Sequence, residues 1–152
     1  MGIKMIRSIV TNKEKLALIS PEIHDVYKAK DIIAELKETA AHYQKKPIGC
    51  AGLAANQIGE LARIFVIWFD GGWFPVVNPE IYLIPGKSRY EHEGCLSRPG
   101  VNVKLQRHKK IRLSYWDGKG LDYRVRVENR RFTGFNARVI QHEFDHLNGV
   151  TI

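Results

Sequence analysis

Apolar residues recur at helical spacing near both ends of the chain and follow strand-like patterns between them. Within residues 29–44, Ile32, Ile33, Leu36 and Ala40 fall on one face of a 3.6-residue repeat, and Pro47 lies just beyond. Upstream, Ser20-Pro21-Glu22 predicts a helix start, with Ser20 as cap and Pro21 in the first helical position. Residues 6–19 show no dominant period. Residues 63–69 form an almost unbroken apolar and aromatic run that reads as a strand, closed by the turn signal Asp70-Gly71-Gly72. A second strand over 73–77 is expected to stop at Asn78-Pro79. Residues 110–116 and 121–127 flank Asp117-Gly118-Lys119-Gly120 and predict a hairpin. Alternation around Val125, Arg126 and Val127 predicts one solvated face for that sheet. The last element spans 136–147, where Ala137, Ile140, Phe144 and Leu147 make an apolar stripe that Asn148-Gly149 closes. Helix, then strands, then helix predicts the α+β class rather than an alternating α/β fold.

Length and composition narrow this picture. A chain of 152 residues suggests one domain, and no repeat or linker divides it. No apolar run reaches the ~18–20 residues of a membrane span. The start, Met1 to Arg7, lacks the long apolar stretch of a secretory signal. Two cysteines, Cys50 and Cys95, do not make a disulfide framework, so a cytoplasmic location without membrane association is expected. The net charge of +8 is clustered at Lys45-Lys46, Arg107-His108-Lys109-Lys110 and Asn129-Arg130-Arg131. Such clusters are either a solvated surface or a face for an RNA-rich partner.

The chemistry sits in the last predicted helix, which reads Gln141-His142-Glu143-Phe144-Asp145-His146. Positions i and i+4 share a helix face, so His142 and His146 can grip one metal ion. Glu143, one residue round, can handle a proton of a metal-bound water, which points to metal-assisted hydrolysis of an acyl bond. The bland alternative is a pair of structural histidines. A third ligand is required. Gly149 falls where the longer H-E-x-x-H-x-x-G-x-x-H pattern places glycine, but Ile152 occupies the place of its last histidine and cannot ligate. Upstream candidates are Cys95, Cys50, His92 and Glu93. Chemistry alone favours Cys95 only modestly over Cys50, and a buried inert thiol is the alternative for either.

Three segments in order resemble the peptide deformylase family, whose motifs are G-x-G-L-A-A-x-Q, E-G-C-L-S and Q-H-E-x-D-H. They read here Cys50-Ala51-Gly52-Leu53-Ala54-Ala55-Asn56-Gln57, Glu93-Gly94-Cys95-Leu96-Ser97 and Gln141 to His146. Val77-Asn78-Pro79-Glu80-Ile81 resembles a further stretch between the first two. The resemblance implies one peptide deformylase catalytic domain over 1–152. Its antiparallel sheets would pack around a central metal-binding helix, with one N-terminal helix and no C-terminal helix. It further implies that Cys95, His142 and His146 bind one divalent transition metal, with Glu143 as general base and acid. Gln57 and the backbone N–H of Leu96 would stabilise the oxyanion, and Gly52 would bind the peptide main chain. The family works naturally with Fe(2+), and Zn(2+), Ni(2+) or Co(2+) can take the site. N-formylmethionyl peptides are the implied substrates of a monomeric enzyme that releases formate.

Departures from the family pattern carry expectations of their own. Cys50 replaces a glycine, which questions the local backbone because Cys tolerates positive φ poorly. Arg98 or Arg138, if either lines the cleft, would shift preference beyond methionine toward acidic residues. A pairing of Asp145 with Arg107 is a further expectation. Without the C-terminal helix by which many bacterial members dock on the ribosome, the +8 charge would supply the attraction to ribosomal RNA. Two rivals stand beside this reading. A small metallopeptidase would leave Glu93–Ser97 and Gly52–Gln57 unexplained together, and a basic RNA-binding module would make the histidines structural.

Overall fold

The structure, a computed structural model, describes residues 5–117 and 125–152. Its element order is helices α1 (Lys13–Leu16) and α2 (Val26–Gln44), strand β1 (Gly52–Ala54), a 3₁₀ turn (Ala55–Ile58), strands β2 (Ile64–Phe69), β3 (Gly72–Leu83), β4 (Ser88–Cys95), β5 (Arg98–His108), β6 (Lys110–Asp117) and β7 (Val125–Thr133), and helix α3 (Gly134–Leu147). A five-stranded antiparallel sheet has the order β1-β2-β3-β6-β7, and β4 and β5 pair as a separate hairpin. This is the expected α+β architecture.

Alternation along β2 explains the layering. Ile64 and Val66 face Ile32, Ile33, Leu36 and Ala40 of α2, whereas Phe65 and Ile67 face Ala137, Ile140 and Leu147 of α3. The sheet is thus buried on both sides where the helices cover it, which is why residues 63–69 read as a continuous apolar run. α3 lies under the sheet as the central helix.

Several expectations need correction. α2 starts at Val26, with Asp25 capping it by accepting from the Lys28 amide at 3.1 Å. Ser20 is no cap: its amide donates to Leu147 O at 2.9 Å, tying the N-terminal segment to the end of α3. A one-turn helix, α1, precedes α2, so there are two N-terminal helices rather than one. The chain's last element is itself a helix, α3, which corrects the architecture expected to lack a C-terminal helix. Asn78-Pro79 does not end β3. Asn78 adopts φ 49 and its side chain pairs with Ile23 N and O at 3.0 and 2.8 Å, making a bulge that carries the strand on to Leu83. β6 and β7 pair antiparallel as predicted; the turn and residues 121–124 lie outside the described residues. The β4–β5 hairpin was not predicted, because its polar, charged residues carry no clean alternation.

Candidate metal centre and active site

Two elements meet to build the site. α3 carries His142, Glu143 and His146, and the β4–β5 hairpin carries Cys95 at the end of β4. Gln141 fixes the helix against that hairpin: its amide donates to His108 O at 2.8 Å and accepts from His108 N at 3.0 Å. Asn56 in the 3₁₀ turn holds the other end of α3, donating to His146 O at 2.8 Å.

The candidate ligand atoms of Cys95, His142 and His146 lie within 4.8 Å of one another. Cys95 Sγ is 3.4 Å from His146 Nε2, which is 3.2 Å from His142 Nε2. Lone pairs facing each other at this range repel unless a positive charge sits among them. Protonation of His142 is one way to supply it. Burial opposes it, but the Cys95 and Glu93 contacts outweigh burial and raise His142, while burial lowers His146. A cluster of two imidazoles and a thiol converging on one point therefore fits a divalent transition metal in tetrahedral coordination with one position left open. Cys50 is not in the cluster; it lines the adjoining cavity, so Cys95 is the third member.

Glu93 supplies what the ligands need behind them. Its Oε1 accepts from His142 Nδ1 at 2.8 Å, which leaves Nε2 facing the cluster. Arg107 binds the same carboxylate through two bonds of 3.0 Å, and Arg138 Nη1 reaches it at 2.6 Å. Burial opposes its ionisation, but His142 and Arg107 overcome that and hold Glu93 well below the usual carboxylate range. Arg107 also meets Asp145 at 2.5 Å, so the expected pairing is present. From the sequence alone Glu93 is a candidate only as a ligand. Its position two residues before Cys95, on the strand face shared with it, was the available signal.

Glu143 is 1% exposed and borders a cavity of about 600 Å³. Burial pushes its carboxyl up to about 7, and Oε1 has no partner among the described residues. Gly52 lies directly against it: a Cβ there would come within 2.7 Å of Glu143 Oε2 and 2.9 Å of Val139 Cγ1. Gln57 is fixed by Ala54 N, which donates to Oε1 at 3.0 Å, and its Nε2 points to Ser97 Oγ at 3.1 Å and Cys95 Sγ at 3.4 Å. Leu96 lies on the cavity wall between Cys95 and Ser97. Six of the seven sequence-predicted site residues thus line this cavity, and the seventh, His146, is buried behind it against Cys95 and His142.

Cys50 takes an ordinary backbone conformation, because Gly49, at φ 71, makes the left-handed turn before it. Its thiol donates to Gly52 O at 3.3 Å and burial pushes it up to about 12. Arg138 lines the cavity but is occupied by Glu93, Leu105 O and Arg89 O, so it offers no free charge. Arg98 lines the cavity too, and its Nη1 donates to Ile152 O.

The family model for polypeptide deformylase matches residues 6–152. The chain belongs to the polypeptide deformylase family. Peptide deformylase from Thermotoga maritima is 41% identical over 123 residues, covering 81% of this chain and 69% of that one. The crystal structure of the Thermotoga maritima enzyme superposes with a TM-score of 0.82 at 36% identity, over 99% of this chain and 95% of its own. Peptide deformylase from Ehrlichia chaffeensis in complex with actinonin gives 0.83 at 32% identity, over 96% and 86%. As a deformylase this chain is a metallohydrolase that removes the N-formyl group from nascent peptides. Among the described residues, no helix is long and apolar enough to cross a membrane.

Proposed function

We propose that residues 1–152 form one catalytic domain in which Cys95, His142 and His146 hold a single divalent metal. Glu143 is its general base and acid, and N-formylmethionyl peptides are its substrates. The observation that carries this reading is the convergence of the three donor atoms within 4.8 Å, with a buried carboxylate and an amide donor around the same cavity. A bound metal supplies Lewis acidity and lowers the pKa of a coordinated water toward roughly 7. Donor chemistry admits Fe(2+), Zn(2+), Ni(2+) and Co(2+); the likeness to the family favours iron natively.

The residues divide the remaining work. Glu143, with one oxygen unpartnered and its carboxyl raised to about 7, takes the proton of the attacking water and returns it to the departing amine. As the formyl carbon becomes tetrahedral, negative charge gathers on its oxygen. Gln57 Nε2 and the Leu96 backbone N–H donate there, and Gly52 admits the peptide backbone beside Glu143. The carbon–nitrogen bond then breaks, leaving formate and a free amino terminus. Ile48, Leu96, Phe135 and Val139 give the cavity an apolar wall suited to a methionine side chain. A monomer in the cytoplasm, drawn by its positive charge toward ribosomal RNA, completes the reading.

Formate release from formyl-Met-Ala-Ser, measured anaerobically beside the unformylated peptide, tests it. Glu143→Ala is expected to keep its metal and lose activity; full activity in that variant overturns the mechanism.

A further inference from the structure

α2 covers β1 and β2 on one side of the large sheet, while α3 packs on the other. Among the described residues, α2 leaves the β6 and β7 part of that side uncovered beyond Trp116, which packs against its core. Strict alternation on β6 sends Ile111, Leu113 and Tyr115 into the core over α3 and turns Arg112, Ser114 and Trp116 to the opposite side. Register then aligns neighbours on that outer face. Tyr82 of β3, Arg112 of β6 and Arg131 of β7 form one row across three strands, and Trp116 and Arg126 form another. The rows are four residues apart on β6, about 13 Å along the strand.

The chemistry of this face is distinctive. Tyr82 is 53% exposed, and the Arg112 guanidinium lies over its ring at 5.7 Å. Arg126 lies over Trp116 at 5.8 Å and is neutralised by Glu80 and Glu128. Among the described residues, Arg112 and Arg131 have no acidic partner, and exposed Lys110 continues the positive edge. An exposed tyrosine set among unneutralised arginines on a sheet face, with the part-buried Trp116 beyond it, suits a strand of phosphates whose bases can stack. A charge of +8 adds long-range attraction to such a polyanion.

We propose that the outer face of β3, β6 and β7, centred on Tyr82, Arg112 and Arg131, docks single-stranded RNA. The choice of RNA as polyanion rests on the enzyme's action on nascent peptides, which emerge where RNA is abundant. The face is opposite the catalytic helix, so RNA bound there leaves the metal site open.

Fluorescence anisotropy with a labelled oligouridylate of about twelve nucleotides, at about 50 mM salt, tests the proposal on the metal-loaded full chain. Arg112→Glu/Arg131→Glu is expected to weaken binding at least about tenfold and to flatten the log–log salt dependence by about 1.4, two phosphates at about 0.7 each. Tyr82→Ala is expected to cost about fivefold or more through lost stacking. Lys15→Glu/Lys28→Glu makes the same change in net charge on exposed helical positions elsewhere and is expected to stay within about twofold of wild type. Arg112→Gln/Arg131→Gln repeats the first comparison without introducing like-charge repulsion. No binding by the wild type, equal loss from both charge-reversed pairs, or an unaffected Tyr82→Ala overturns the proposal. Formate release from formyl-Met-Ala-Ser should be unchanged in every variant. That assay reports folding and the catalytic reading separately, so failure of one inference is not failure of the other.

Discussion

Glu93→Gln probes the support behind the metal centre. The Glu93 side chain is 7% exposed and accepts from Arg107, Arg138 and His142. Removing one partner of a buried charged network costs about 3–5 kcal/mol, because uncompensated charge remains. Here the low end applies. Arg107 keeps Asp145 at 2.5 Å, and Arg138 keeps the carbonyls of Arg89 and Leu105 at 2.6 and 3.2 Å. A loss of about 3 kcal/mol lowers Tm by roughly 6–12 °C in a domain of this size. Separately, His142 exchanges the carboxylate that orients its ring for a weaker neutral amide acceptor, which weakens metal binding by about 10- to 100-fold. Thermal unfolding at one saturating zinc concentration measures the first effect, and chelator competition measures the second. Pairing the change with Arg138→Met should restore part of the stability by removing the stranded guanidinium, but not the metal affinity. A single variant within about 0.5 kcal/mol of wild type, with metal affinity unchanged within twofold, would show that Glu93 does not organise the site.

Three further perturbations address the reacting groups. Gly52→Ala forces a Cβ to within 2.7 Å of Glu143 Oε2 and must displace that carboxylate. A loss of about 100-fold in kcat/KM with metal content intact is expected, and near-normal turnover would refute the close packing. Gln57→Leu removes an amide donor beside Cys95 and should lower kcat by about 100- to 1,000-fold; a change confined to KM would argue against oxyanion stabilisation. Cys50, pushed up to about 12 by burial, should hold almost no thiolate at pH 8. In the metal-loaded protein its alkylation by iodoacetamide should run at least about 100-fold slower than that of a free thiol and accelerate only as pH climbs toward 12. Rapid alkylation at pH 8 would contradict the burial.

Legibility followed the range of the interactions. Helices α2 and α3 were visible because apolar residues repeat within each segment, and β2 because an unbroken apolar run needs cover on both faces. Ser20-Pro21 carries a local cap signal, but the helix starts at Val26 and Ser20 instead bonds to Leu147, far along the chain. β3 passes through Asn78-Pro79 because the Asn78 side chain pairs with Ile23, a contact 55 residues distant. The β4–β5 hairpin carries charged residues whose partners lie on α3, so its pattern made no sense strand by strand.

From its residues alone the chain specified the metal-binding helix, the likeness of its three motifs and the reaction class they imply, since side chains four apart on a helix must share a face. The third ligand could be ranked only weakly by chemistry, and it was the likeness that selected Cys95. Folding decided the rest. The hairpin brings Cys95 to His146, Glu93 gathers two arginines behind His142, Gly52 seals against Glu143, and Cys50 is left outside the cluster. Apart from Glu93–Arg107, 14 positions apart, these contacts join residues roughly 45 to 90 positions apart, and neither periodicity nor propensity reaches that far.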